Sequence, residues 1–114
     1  MSEWEWPEEL DALVAAADSH RLLMENDYVR VLETLIPSGV KVPVHTHRWP
    51  SVQYILSWSD FVRRGADGNV LFDTRGKDWA MTGKAVWSEP LVPHSVENVG
   101  GAELRVILVE QKKG

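Results

Sequence analysis

His45-Thr46-His47 is a His-x-His pair at the end of a run, Lys41 to Thr46, whose β-branched residues predict a strand. Side chains alternate along a strand with a period of two, so both imidazoles face one way, and Val44 and Thr46 face the other. Two neutral imidazoles fixed side by side on a rigid ladder suit a divalent transition metal. A third histidine, His94, follows Pro93 at the head of another predicted strand, with Asn98 four residues on. Three imidazoles would leave the ion with its double positive charge and with open positions for water, O₂ or a chelating substrate. Such a centre can polarise a carbonyl, lower the pKa of a bound water or stabilise an enolate.

Ser51, Gln53 and Ile55 share one face of a neighbouring run, and Val52, Tyr54 and Leu56 share the other. If His45 and His47 define the interior, Gln53 belongs inside. There it is a fourth ligand through its amide oxygen, a hydrogen-bond partner for a metal-bound water, or an interior amide satisfied by backbone. Glu89 is the other nearby carboxylate and the second catalytic candidate, although its place in a turn fits a surface residue too. Six tryptophans in 114 residues is a dense supply of aromatic surface. They either fill a small core or line a cavity for an organic ligand. Trp49, Tyr54, Trp58, Phe61, Phe72, Trp79 and Trp87 are the candidate lining, with Ser51 beside them. Arg63 is the candidate that would draw in a carboxylate, with Arg48 and Arg64 as further cations. His20 reads as a residue at a helix end.

These side chains need a scaffold, and the chain supplies a β-rich one. Pro7, the acidic pair Glu8-Glu9 and the spacing of Leu10, Leu13, Val14 and Ala17 predict an N-terminal helix closed by Asp18-Ser19-His20. Nine strands are predicted after it, at 21–24, 28–36, 41–46, 51–57, 60–64, 69–74, 85–88, 94–99 and 103–111. Pro37-Ser38-Gly39, Asp67-Gly68, Arg75-Gly76 and Gly100-Gly101 punctuate them with turn chemistry. Short strands with no helices between them indicate a sandwich or barrel. The expected organisation is a helical arm over residues 1–20 and one all-β barrel over 21–114.

Within this pattern the sequence resembles the cupin superfamily, whose two motifs frame a metal site in a small jelly roll. Gly39, His45 and His47 stand at the intervals of the first motif, and Gly83, His94 and Asn98 at those of the second. The carboxylate ligand of the first motif falls at Ser51 and its closing glycine at Trp58. In the second motif the proline slot holds Glu89, with Pro90 one later, and the glycine slot holds Leu91. The resemblance implies a jelly-roll barrel with a divalent metal (Fe, Mn, Ni or Zn) on His45, His47 and His94. It also implies chemistry of a dioxygenase-like, lyase or isomerase kind, or a cupin that binds or senses a small ligand without turning it over.

Other classes fit less well. The net charge of −5 offers no positive field for nucleic acid or an anionic membrane. The longest apolar run, Ala12 to Ala17, falls far short of the roughly 18 residues that span a bilayer. The acidic start lacks the features of a secretion signal, so the expected location is the cytoplasm. No cysteine is present to act as nucleophile, disulfide or zinc ligand. Apolar residues on both faces of Tyr28–Ile36 and Glu103–Gln111 call for a second cover beyond the barrel interior, and a homodimer is expected to provide it.

Overall fold

The computed structural model describes residues 4–77 and 81–112. Nine antiparallel strands make up just over half of it: β1 (His20–Glu25), β2 (Val29–Ile36), β3 (Lys41–His47), β4 (Ser51–Ser57), β5 (Phe61–Gly65), β6 (Val70–Asp73), β7 (Ala85–Ser88), β8 (Leu91–Asn98) and β9 (Leu104–Gln111). They form two sheets, ordered β1-β2-β9-β4-β7 and β3-β8-β5-β6, in a jelly-roll barrel.

The predicted N-terminal helix is broken in two. A 3-10 turn covers Glu8–Leu10 and a single α-helical turn, α1, covers Ala12–Ala15. Asp11 between them is extended, and its backbone bridges to Thr46. Its carboxylate accepts from the Leu13 N–H and receives both terminal nitrogens of Arg30 at 2.9 and 3.0 Å. A tertiary anchor of that strength overrides a short helix's weak intrinsic preference. Ala12 and Ala16 are buried, so the arm is sealed onto the barrel.

Register places the inward residues in rows. Arg30 pairs with Glu110, which pairs with Ser51; His20 pairs with Thr34, which pairs with Val106 and through it Ile55. In the other sheet His45 stands opposite His94, and His94 opposite Gly65. Leu32, Ile36, Val42, Ile55, Leu104, Val106 and Leu108 form the core with Ala16. Six of these seven strand residues also face an internal cavity, so the core is partly hollow. The outward face carries an apolar row across all five strands of the larger sheet, running Met24, Val31, Val109, Val52, Trp87.

Gly39 and Gly83 both have φ of 81°, where a side chain would strain the backbone. Asn98 is a structural clamp: its amide donates to the Ile36 and Ala102 carbonyls, and its oxygen accepts from Ser59 and the Gly100 N–H. A methyl on Gly100 would collide with Ser59 Oγ and lie 2.7 Å from the Asp60 backbone nitrogen. Gly100→Ala is therefore expected to cost about 1–3 kcal/mol, the usual overpacking range, measurable as a lowered Tm.

Candidate metal centre

The cavity between the sheets has a volume of about 320 Å³, and four histidines line it: His20, His45, His47 and His94. The rings of His20, His45 and His47 lie 5.0–5.2 Å apart by centroid, and one nitrogen from each lies within 4.8 Å of the others. The His94 ring is 4.4 Å from that of His45 and 5.9 Å from that of His47.

Each imidazole is held from behind through Nδ1. His20 bonds the Ala16 carbonyl at 3.0 Å, His45 that of Pro43 at 2.8 Å and His94 that of Val92 at 2.7 Å. His47 bonds Oε2 of Glu110 at 2.9 Å. A carbonyl or carboxylate oxygen only accepts, so every Nδ1 carries the proton and donates it. That leaves Nε2 of all four rings with a free lone pair, the tautomer a metal requires. Nitrogens bound at about 2.1 Å on opposite sides of one ion stand about 4 Å apart, so the group of His20, His45 and His47 needs a small inward shift to close on a single ion, and His94 stands outside that group. The donor set fits an intermediate or soft divalent ion and includes no carboxylate among the described lining residues, a poor match for calcium or magnesium.

Burial disfavours the charged imidazoles. It pushes His20 and His45 down to about 4, His47 to about 3 and His94 to about 2, and the neighbouring rings add to the effect. The rings are thus neutral in the folded chain near pH 7, ready to bind. In the metal-free protein the unfolded chain takes up protons below its ordinary histidine range while the folded chain does not, so stability falls as pH drops from about 6.5 toward 4. Urea unfolding of chelator-treated protein at pH 7.5 and 5 should show a marked loss at pH 5. Equal midpoints would mean the histidines are not buried neutral.

Behind His47 runs a chain of charges. Arg30 Nε donates to Glu110 Oε1 at 2.6 Å, Glu110 holds His47, and Arg30 is clamped by Asp11. Glu110 is fully buried. Its burial raises its pKa, against the lowering effect of Arg30.

The other expected site residues divide. Gln53, Trp58, Arg63, Phe61 and Phe72 line the cavity, and Trp87 borders it from β7, although its register opposite Val52 puts it on the outer face, 56% exposed. Gln53 donates its amide to Ser51 Oγ at 3.3 Å, which leaves its oxygen as the free end. Ser51 is buried behind Gln53 and does not line the cavity. Trp49 is not on the cavity wall either. It takes the guanidinium of Arg30 at 4.9 Å and that of Arg48 at 5.1 Å, covering the outside of the charge chain. Tyr54 lies on the outer face, 44% exposed, because strand alternation puts it opposite to Gln53. Glu89 is exposed in the β7–β8 turn, where the Trp87 indole donates to it, and it does not reach the cavity. Trp79 lies outside the described residues.

His20, Glu110 and Arg30 are site residues that sequence reasoning missed. His20 is the first residue of β1 rather than a helix end. Glu110 and Arg30 had a legible signal: each falls at an inward position of an otherwise uncharged alternation, Leu104-Val106-Leu108-Glu110 and Arg30-Leu32-Thr34-Ile36. A lone charge there needs a buried partner.

No protein-family model matches the sequence, and no curated protein is significantly similar to it. Solved structures do match. A cupin domain from Bordetella pertussis superposes with a TM-score of 0.63 at 20% identity, over 82% of this chain and 92% of that one. An RmlC-like cupin family protein from Methanocaldococcus jannaschii, with a double-stranded β-helix, gives 0.58 at 15% identity, over 81% and 77%. The polyketide cyclase RemF from Streptomyces resistomycificus gives 0.54 at 20% identity, over 82% of this chain and 64% of that one. The chain has the cupin fold. No helix among the described residues is long and apolar enough to cross a membrane.

Proposed function

We propose that this cupin-fold chain is a cytoplasmic metal-dependent enzyme acting on a small organic molecule, aromatic or carboxylated. The observation that carries this is the set of four neutral imidazoles around one cavity, each with Nδ1 committed and Nε2 free. His20, His45, His47 and His94 would hold a divalent ion such as Fe, Mn, Ni or Zn. Such an ion supplies Lewis acidity or, in the case of iron, O₂ chemistry.

The chain's own residues do the rest. Glu110 fixes the orientation of His47, and the backbone carbonyls fix the other three rings. Trp58, Phe61, Phe72 and Ile55 offer an apolar wall for the body of a substrate. No Asp or Glu occurs among the described lining residues. Among the described lining residues a lyase or isomerase would find only imidazole to accept a proton, whereas dioxygenase-like chemistry makes no such demand and is favoured. The same lack of a carboxylate supports the second reading, a cupin that binds or senses a ligand without turnover. Protein reconstituted with ferrous ion and screened on an oxygen electrode with small aromatic acids should consume O₂ only when its substrate is present. A ligand that occupies the cavity of the loaded protein and is recovered unchanged would support the sensor instead.

We also propose that the chain is a homodimer through the outer face of the larger sheet. Met24, Val52 and Trp87 in its apolar row are 47%, 37% and 56% exposed, and Val31 and Val109 between them are half-buried. Sedimentation should give a dimer at micromolar concentration, and Val52→Lys should give a monomer. A wild-type monomer would refute this.

A further inference from the structure

The cavity contains one cation that the metal centre does not use. Arg63, on β5, lies with its guanidinium carbon 5.7 Å from the ring centre of Phe61 and 5.8 Å from that of Phe72. Its Nε is buried with no hydrogen-bond partner. Arg21, Arg30, Arg64, Arg75 and Arg105 all pair with carboxylates, and Arg63 is absent from that set. It is also the only charged side chain among the described lining residues, the neutral imidazoles aside. Burial lowers its pKa, and its positive charge is felt at His45, His47 and His94. A guanidinium taken out of water without a counter-charge is costly, and a ligand anion would remove that cost.

A second orphan lies in the same cavity. Thr34 Oγ1 is buried without a partner, on the residue that pairs with His20. Arg63 pairs with Val96, two residues along β8 from His94, or about 7 Å at strand rise. The cavity thus has a cation and a hydroxyl on the same set of walls as the imidazoles, with Phe61 and Phe72 beside the cation. Its 320 Å³ is about twice the roughly 150 Å³ of a cavity that takes up benzene, enough for a substituted single ring.

We propose that Arg63 is the carboxylate anchor of this cavity, and that the ligand is a monocyclic aromatic monocarboxylate. Its carboxylate meets the guanidinium edge, whose planar fork matches two carboxylate oxygens. Its ring lies against Phe61, Phe72 and Trp58, and a polar ring substituent reaches toward the imidazoles and Thr34. A single cation matches a monoanion. This rests on the reading of the cavity as the substrate site and names the substrate class for it.

The test uses chelator-treated, metal-free protein, so that it stands apart from the metal itself. Calorimetric titration with benzoate and with benzamide, its neutral isostere, should show benzoate binding at least about tenfold more tightly, the worth of one charge-assisted hydrogen bond. Arg63→Gln should abolish that preference and leave benzamide binding unchanged. Arg63→Lys, which keeps the charge but not the fork, should lose severalfold in benzoate affinity, and it decides the matter if Arg63→Gln does not fold. Equal binding of the two probes, no binding of benzoate, or undiminished benzoate affinity in the variants would overturn the anchor. A protein that binds about one equivalent of metal yet shows no benzoate preference would sink this inference alone; benzoate preference without metal binding would sink the enzyme reading alone.

Discussion

His20→Ala should strip the protein of its metal. Wild-type chain reconstituted with a divalent transition ion is expected to retain about one equivalent, and the variant less than about a tenth of that after desalting. The ground is geometric: His20 places a nitrogen within 4.8 Å of those of His45 and His47, and the Ala16 carbonyl fixes its tautomer. Loss of an outer partner alone typically costs 10- to 100-fold in metal affinity, so loss of a ligand should cost more. Glu89→Ala is the matched control, since Glu89 is exposed and off the cavity wall, and it should leave loading unchanged. Elemental analysis by mass spectrometry reads both. Full loading of His20→Ala would mean that His45, His47 and His94 suffice.

Glu110→Ala should be the most destabilising single substitution at the site. Glu110 is fully buried, and two residues depend on it: Arg30, through a 2.6 Å bond, and His47, through one of 2.9 Å. Removing it leaves buried Arg30 with Asp11 alone and leaves the His47 Nδ1–H without an acceptor. Breaking a buried charge pair from one side costs about 3–5 kcal/mol. For a domain of this size that is a Tm drop of roughly 12–20 °C in metal-free protein. Glu110→Gln, which keeps the shape and one acceptor oxygen, should fold and lose about 10- to 100-fold in metal affinity. Thermal unfolding and competition with a chromogenic chelator separate the two effects. A Glu110→Ala variant as stable as wild type would show that the Arg30–Glu110–His47 chain is not a structural support.

Much of the architecture was legible in the sequence because a strand writes its burial in alternation. The β4 range Ser51–Ser57 and the β7 range Ala85–Ser88 agree with expectation, and the inward face shared by Ser51, Gln53 and Ile55 follows from period two alone. The spacing of His45, His47 and His94 likewise placed three imidazoles on one cavity. What failed was whatever depended on contacts distant in sequence. The arm looked like one helix because nothing local reveals that Asp11 is claimed by Arg30 and by Thr46. His20 looked like a helix end for the same reason, when the arm's early stop makes it the first residue of a strand. β8 begins at Leu91, three residues before the expected start, because the β3–β8 ladder accommodates Pro93 at a register shift between the pairs His45–His94 and His47–Leu91. Trp49 and Tyr54 share aromatic character with Trp58, but only tertiary placement shows that one covers Arg30 and the other faces outward.

The proposed function requires a single divalent ion held by neutral imidazoles. Its most direct test is the metal content of tagless protein, as purified and after incubation with iron, manganese, nickel or zinc, beside His47→Ala. About one equivalent in the wild type, lost in His47→Ala, is the predicted result. No metal retained by the wild type from any of the four ions would contradict it and leave a cavity built only for an organic ligand.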